Sequence, residues 1–324
     1  MTVKDKLISF LTKNDLGNEA LYQIKKMLKR TSSPDKYFPN EVTLEITSLC
    51  NYKCIHCAPQ NPKFSNEVKK KGNMDFDLFL RLMDEVDKYG KRNLAVHKDG
   101  EPLIYPKILD VLKRLKKNVD HHVYLTTNGV FLSEEVSNTI LENRVDTINF
   151  SLGAYSPDIY KKIRGGELQL VLKNIEYFLK RSKHFNYNPR IIAQIIRLSD
   201  FPEMEKEIYN FKTFWEEKGL EVQIWDELNW GEDKLNRGKY RYPCFSLFNS
   251  IFVNSSGNVS PCCIDWKESL VVGKTSEYSL KEIWDGQKLK QIRKIHLENK
   301  EDLLPMCKNC NFWRWYQKTD KYFT

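Results

Sequence analysis

Six short runs of β-forming residues, near 41–47, 93–97, 121–126, 146–152, 190–197 and 220–226, alternate with stretches of helical periodicity, and this alternation restricts the fold more than any other feature. The helical stretches are Asp75 to Tyr89, Pro106 to Lys117, Ser133 to Leu141, Leu168 to Lys183 and Glu203 to Lys218. A strand, a helix and a strand in succession predict parallel strands with the helices as crossovers. In sheets and barrels built this way, functional side chains collect on the loops that leave the C-terminal ends of strands.

Ahead of the first run, residues 1–38 place Leu7, Ile8, Leu11, Leu21, Ile24, Met27 and Leu28 at helical spacing, with Ser32-Ser33-Pro34 as a break, which predicts a helical lead-in. The alternating region follows as a core over 39–226. After Asp226 the pattern stops, and a polar stretch rich in Asn, Gly and Lys predicts a linker over 227–243. Residues 244–324 then read as a small α+β unit: a hairpin (Asn249 to Asn254, Asn258 to Cys262) around Ser255-Ser256-Gly257, a helix from Ser279 to about Glu298, and a cysteine loop.

A chain of 324 residues can bury a core without staples. Seven of its eight cysteines lie in tight clusters at Cys50 to Cys57, Cys262 to Cys263 and Cys307 to Cys310, which points to metal ligation rather than a disulfide framework. The first residues mix lysine and aspartate among apolar ones, unlike a secretory signal, and no apolar run reaches membrane-spanning length. The expectation is a cytoplasmic protein with no membrane partner. The net charge of +9 comes from lysines spread along the chain, so a solvated basic surface is expected rather than a nucleic-acid partner.

The run VTLEIT leads into Cys50, Cys54 and Cys57, a C-x3-C-x2-C loop at a strand's C-terminal end. Three thiolates satisfy three irons of a cubane cluster and leave the fourth open, whereas structural zinc closes its shell with four ligands. A zinc site completed by His56, His97 or a distant cysteine is the alternative. Here the chain resembles the radical S-adenosylmethionine (radical SAM) superfamily over residues 41 to about 226, with His56 in the aromatic place of the C-x3-C-x-(aromatic)-C signature. The resemblance implies a partial (β/α)6 TIM-like barrel. It also implies S-adenosylmethionine chelated to the open iron of a 4Fe-4S cluster, and its reductive cleavage to a 5′-deoxyadenosyl radical that abstracts hydrogen from a substrate.

Further segments follow in the family's order. Asp99-Gly100-Glu101-Pro102 is similar to the family's GGEP segment, with Asp99 in place of the first glycine, and by resemblance receives the methionine amino group. Thr126-Thr127-Asn128-Gly129 is similar to its TNG turn. Ser151 after the fourth strand and Arg164 in Ile163-Arg164-Gly165-Gly166 would by resemblance hold the ribose or the methionine carboxylate, a task that suits a planar guanidinium. Gly153-Ala154 stands where the family often has Asp-Gly.

Cys244, Gly257 and Cys262, followed by Cys307 and Cys310, are similar to the SPASM type of C-terminal extension in its shortened twitch form, over about residues 240–320. That resemblance implies a second, fully ligated 4Fe-4S cluster that accepts or relays an electron, as in dehydrogenases that oxidise aminocyclitols. A structural zinc ribbon on the same four sulfurs is the alternative. Cys263 is left over, as a small buried residue or as a hydrogen donor to a carbon radical, which would make an epimerase.

Three functions follow: oxidation of a sugar, cyclitol or similar small metabolite; maturation of a ribosomal peptide; or a non-catalytic iron-sulfur or zinc protein. The enzyme readings need an electron donor such as flavodoxin or ferredoxin. Candidates for proton transfer at strand ends are His97, Lys98, Glu101, Gln194 and Glu227. Phe312, Trp313, Trp315 and Tyr316 in the tail would pack on the core or line a pocket.

Overall fold

Valine, isoleucine and threonine in the six runs favour extended backbone, because branched side chains fit a pleated and half-buried surface. The computed structural model describes residues 38–61, 71–230 and 243–314, so the lead-in, the greater part of the expected linker, and Trp315 and Tyr316 lie outside the described residues. All six strands form: β1 (Glu41–Leu44), β2 (Asn93–Ala95), β3 (His122–Thr127), β4 (Thr147–Ser151), β5 (Arg190–Arg197) and β6 (Glu221–Asp226). Each pairs in parallel with the next, as the alternation predicts, and the sheet is open, with the partial-barrel character that the resemblance implies.

The crossovers are α1 (Phe76–Asp87), α2 (Ile108–Leu115), α3 (Glu134–Glu142), α4 (Pro157–Arg164), α5 (Leu168–Ser182) and α6 (Met204–Glu217). Their starts are chemically marked. Asp75 accepts from Leu78 N at 2.9 Å and Ser133 accepts from Val136 N at 3.2 Å, each satisfying an amide that the first helical turn leaves unpaired. On α1 the stripe Phe79, Leu82, Met83 and Val86 is buried, and each such side chain contributes about 1.5–3 kcal/mol on leaving water. The sequence reading does not foresee α4, whose eight residues are too few to show a clear period.

In the C-terminal part a short helix α7 (Ser246–Asn249) precedes the hairpin strands β7 (Ser250–Val253) and β8 (Asn258–Ser260), followed by β9 (Gly273–Lys274), α8 (Leu280–Trp284), α9 (Gln287–Leu297) and α10 (Pro305–Lys308). Gly257 turns the hairpin at φ +84°, a conformation that other residues rarely adopt, and its N–H donates to Asn254 O at 2.8 Å. The single helix expected from Ser279 to about Glu298 is two helices. Gly286, poor in helix propensity, stands at the break in extended backbone and begins the second.

The hairpin does not stand apart from the core. β7 pairs in parallel with β1, from Glu41 with Ser250 to Leu44 with Val253, and the sheet runs β6-β5-β4-β3-β2-β1-β7-β8-β9. β1 would otherwise expose a row of unpaired backbone groups on its outer side, and β7 supplies their partners. No helix among the described residues is long and apolar enough to cross a membrane.

Candidate active site

The first cysteine loop begins where β1 gives out. Ser48 anchors it, donating from N to Gly72 O at 3.0 Å and accepting from Gly72 N on Oγ at 2.9 Å. Ile55 N donates to Ile163 O at 3.0 Å, which ties the middle of the loop to the end of α4. Cys54 is buried, Cys50 and Cys57 are half-buried, and all three are free thiols. Burial pushes Cys50 up to about 12 and Cys57 higher still, with Cys54 nearby adding to both. Such thiols stay protonated until a metal cation takes the proton's place. Among the described residues no three His, Cys, Asp or Glu side chains form a ready cage for a single ion.

Around the loop the strand-end segments interlock. Gly100 packs on its lead-in so closely that an added Cβ would lie 2.3 Å from Thr47 O and 2.5 Å from Leu49 O. Glu101 N donates to Leu49 O at 2.8 Å. The Glu101 carboxylate accepts from Thr127 Oγ1 at 2.7 Å, Asn128 N at 2.7 Å and Leu103 N at 3.1 Å, so it braces the turn after β3 against the segment after β2. Burial nevertheless raises its pKa. Pro102 opens the short 3-10 turn that follows, and Asn128 Nδ2 donates to Asn51 Oδ1 at 2.8 Å.

Arg164 is buried beneath the loop. Its Nε donates to Leu152 O at 3.1 Å, one terminal nitrogen donates to Ser151 Oγ at 2.7 Å, and the other donates to Cys54 Sγ at 3.4 Å. The structure thus brings together Arg164, Ser151 and the Cys54 thiol. His56 is next in chain to Cys57, and its Nδ1 is buried with no partner among the described residues. Burial and the Arg164 charge lower its pKa to about 3, so the ring is neutral. An orphaned polar atom beside three thiols fits a bound group that the protein alone does not replace.

The strand register lays a polar row across the face that carries His122, Tyr124 and Thr126, while Val123, Leu125 and Thr127 are buried on the other. Thr126 stands opposite Asn149, Asn149 Nδ2 donates to Gln194 Oε1 at 2.5 Å, and Asn149 Oδ1 is buried without a partner among the described residues. His97 Nδ1 accepts from Thr126 N at 3.2 Å, and burial lowers its pKa to about 4. With Nδ1 accepting, the neutral ring carries its proton on Nε2 and offers a donor there. Lys98 is ion-paired with Asp99 at 2.7 Å. The period-2 polar residues of β3 were the sequence signal for this face.

The C-terminal thiols come together from three places. Cys244, Cys262, Cys307 and Cys310 line one cavity with His296, Met306, Phe312 and Trp313. Burial and then the three sulfurs Cys262, Cys310 and Cys307 raise the pKa of Cys244 well above the usual thiol value. Cys263 hydrogen-bonds Cys262 and lowers the pKa of that thiol. Glu227 is exposed, and its carbonyl accepts from Asn311 Nδ2 at 3.1 Å. The first residues of the expected linker therefore act as a clamp. Asn229 N donates to Asn311 Oδ1 at 3.2 Å, Asn311 N donates to Asn229 Oδ1 at 3.1 Å, and Asn229 Nδ2 donates to Asn309 O at 2.6 Å. Trp230, at φ +52°, donates from Nε1 to His56 O at 2.9 Å, so three residues, Glu227, Asn229 and Trp230, hold both cysteine loops.

Two family models match the chain: the radical SAM superfamily over residues 44–189 and an iron-sulfur cluster-binding domain, SPASM, over residues 244–311. A curated relative from Pyrococcus furiosus, described as a tungsten-containing aldehyde ferredoxin oxidoreductase cofactor-modifying protein, is 33% identical over 110 residues, which cover 34% of this chain and 29% of that one. A GTP 3',8-cyclase from Lactiplantibacillus plantarum is 33% identical over 139 residues, 41% of this chain and 40% of the relative. The chain thus spans less than half the length of either relative. Among solved structures, BtrN in complex with AdoMet and 2-DOIA has a TM-score of 0.58 at 20% identity, covering 85% of this chain and 94% of that one. Streptococcus suis SuiB bound to S-adenosylmethionine has a TM-score of 0.64 at 14% identity, covering 94% and 80%. These last two are likenesses of fold. With three thiols at the first strand's end, four more in the C-terminal cavity and both family models in place, the chain carries a radical SAM domain followed by a SPASM-type iron-sulfur domain, which together imply S-adenosylmethionine and 4Fe-4S clusters as its cofactors.

Proposed function

We propose that this chain oxidises a hydroxyl- or amino-bearing carbon of a sugar, cyclitol or comparably small polar metabolite, with the C-terminal cluster as electron acceptor. The observation that carries this reading is the polar face of the sheet, where Thr126, Asn149, Gln194 and His97 stand together and Asn149 Oδ1 has no partner among the described residues. A substrate rich in hydroxyl or amino donors would satisfy that oxygen, whereas an apolar one would leave it desolvated and unpaired, at a cost of about 1–3 kcal/mol.

In this reading Cys50, Cys54 and Cys57 hold the first cluster, and Cys244, Cys262, Cys307 and Cys310 hold the second. Asp99, Gly100, Glu101, Pro102, Thr127, Asn128, Ser151, Arg164 and His56 frame the cofactor. When bound, S-adenosylmethionine on its cluster supplies a carbon-centred radical able to take a hydrogen atom from an unactivated C–H bond. The chain's own contribution is positional. Glu101 fixes two cofactor-bearing segments relative to each other, Arg164 locks Ser151 beneath the loop, and His97 offers its Nε2–H to a substrate oxygen. An epimerase would instead need Cys263, which hydrogen-bonds Cys262, to reach the substrate carbon as a hydrogen donor.

The test is formation of 5′-deoxyadenosine by anaerobically reconstituted, dithionite-reduced protein, with and without aminocyclitols, sugars and peptides. Stimulation by a polar small molecule, with deuterium carried from its C–H position into 5′-deoxyadenosine, supports the reading. Stimulation by peptides alone would replace it with peptide maturation, and no cleavage by a protein with intact clusters would end it.

A further inference from the structure

The segment leaving β2 carries a buried ion pair whose lysine, Lys98, has no part in the function proposed above. The side chains of Lys98 and Asp99 are only 1% and 3% exposed, and Lys98 Nζ lies 2.7 Å from Asp99 Oδ2. Lys98 Nζ also donates to Asp265 O at 3.4 Å, across 167 residues of sequence, and Asp265 N donates to Cys262 O at 3.3 Å. On the other side Asp99 O accepts from Gln60 Nε2 at 2.7 Å, and Gln60 N donates to Cys57 O at 3.0 Å. The pair therefore stands in an unbroken run of hydrogen bonds from one cysteine set to the other.

Its charge is as notable as its place. Glu45, fully buried, accepts from Asp99 N at 3.0 Å on one oxygen and from Ser255 N at 2.9 Å on the other. Asp265, also fully buried, accepts from Ser269 N at 2.8 Å and Leu270 N at 2.9 Å. Burial alone would drive the Lys98 ammonium toward neutrality, but Asp99, then Glu45 and Asp265, hold it charged. A buried ammonium is costly to keep, so its retention between two cysteine sets calls for a role.

We propose that Lys98 tunes the C-terminal cluster, its fixed positive charge raising the reduction potential so that the cluster can accept the substrate's electron, while Asp99 offsets that charge. The inference rests on the reading that the C-terminal thiols hold an iron-sulfur cluster. One-electron reduction adds one negative charge to the cluster and moves no proton to or from Lys98, so the effect is Coulombic. It acts strongly because water is excluded.

The test uses the full chain, reconstituted anaerobically with iron and sulfide. Metal is counted, and the two clusters are titrated potentiometrically by electron paramagnetic resonance. In Lys98→Gln the ratio of reduced to oxidised C-terminal cluster at fixed potential falls at least tenfold, about 59 mV for a one-electron couple. Lys98→Arg stays within threefold of the wild type, and Asp99→Asn shifts the ratio in the opposite direction to Lys98→Gln. An unshifted Lys98→Gln overturns the inference, as do shifts of the same sign in Lys98→Gln and Asp99→Asn, which mark general disturbance. If Lys98→Gln does not fold, a failure of Asp99→Asn to raise the ratio overturns it alone. About four irons with zinc in the wild type would overturn both this inference and the cluster reading beneath it, whereas about eight irons with unshifted variants overturns the tuning alone.

Discussion

Replacing Gly100 by alanine tests whether the segment after β2 sets the position of the first cysteine loop. The added Cβ would lie 2.3 Å from Thr47 O, 2.5 Å from Leu49 O and 2.8 Å from Ser48 C, all of them backbone atoms that cannot rotate aside. A comfortable carbon–oxygen contact needs about 3.3 Å, so the two segments must part by about 1 Å. Ser48 is pinned to Gly72 by three hydrogen bonds, so the movement would be taken up at the Glu101 N to Leu49 O bond and in the chain entering Cys50. Overpacking of this kind costs about 1–3 kcal/mol and the lost bond about 1 kcal/mol more, together about 2–4 kcal/mol. At about 2 °C per kcal/mol for a chain of this size, the midpoint of thermal unfolding would fall by roughly 4–8 °C. The assay is circular dichroism of the metal-free protein together with iron per chain after reconstitution. Gly72→Ala is the control, because nothing among the described residues lies within 4 Å of its new Cβ. If Gly100→Ala unfolds with the control and takes up the same iron, the close approach does not position the loop and the reasoning fails.

Arg164→Lys keeps the charge but loses the fork that reaches Leu152 O, Ser151 Oγ and Cys54 Sγ together, and S-adenosylmethionine binding measured by equilibrium dialysis should weaken about tenfold or more; unchanged binding would remove Arg164 from the cofactor frame. Asn311→Ala removes the two side-chain bonds to Asn229 N and Glu227 O, at about 1 kcal/mol each, and should speed iron loss from the C-terminal site under chelator while the N-terminal cluster persists. Asp87 provides a pH test. Burial raises its carboxyl, but hydrogen bonds from His121, Arg114 and Asn118 outweigh that and hold it below its usual 3.8, so its stabilisation is present above about pH 4 and is lost as pH falls through the folded value. Asp87→Asn should therefore be less stable than the wild type at pH 7, with the two denaturant curves converging toward pH 3; a constant gap would refute the assignment.

Much of the fold is legible along the chain because it is local. Branched runs mark all six core strands, and Asp75 and Ser133 mark helix starts by capping chemistry that acts over three residues. Where two local signals compete, the reading fails. The periodicity from Ser279 to Glu298 hides the break at Gly286, and α4 is too short to declare itself between β4 and α5. The polar stretch after Asp226 has the composition of a linker, yet Glu227, Asn229 and Trp230 find partners on both cysteine loops. Composition reports an average preference for water and says nothing about one amide meeting one carbonyl.

The sequence by itself determined the first cysteine loop, the strand-end segments that follow it and the doubled cysteine chemistry, because covalent spacing confines three thiols to one turn wherever the rest of the chain goes. Only the tertiary structure decided that β7 would complete the free side of β1, that Glu101 would brace Thr127 and Asn128, and that Lys98 would lie against Asp265 between the two thiol sets. Those contacts join residues tens to hundreds of positions apart. They depend on strand register and on the exclusion of water from a shared interior, which no local pattern encodes.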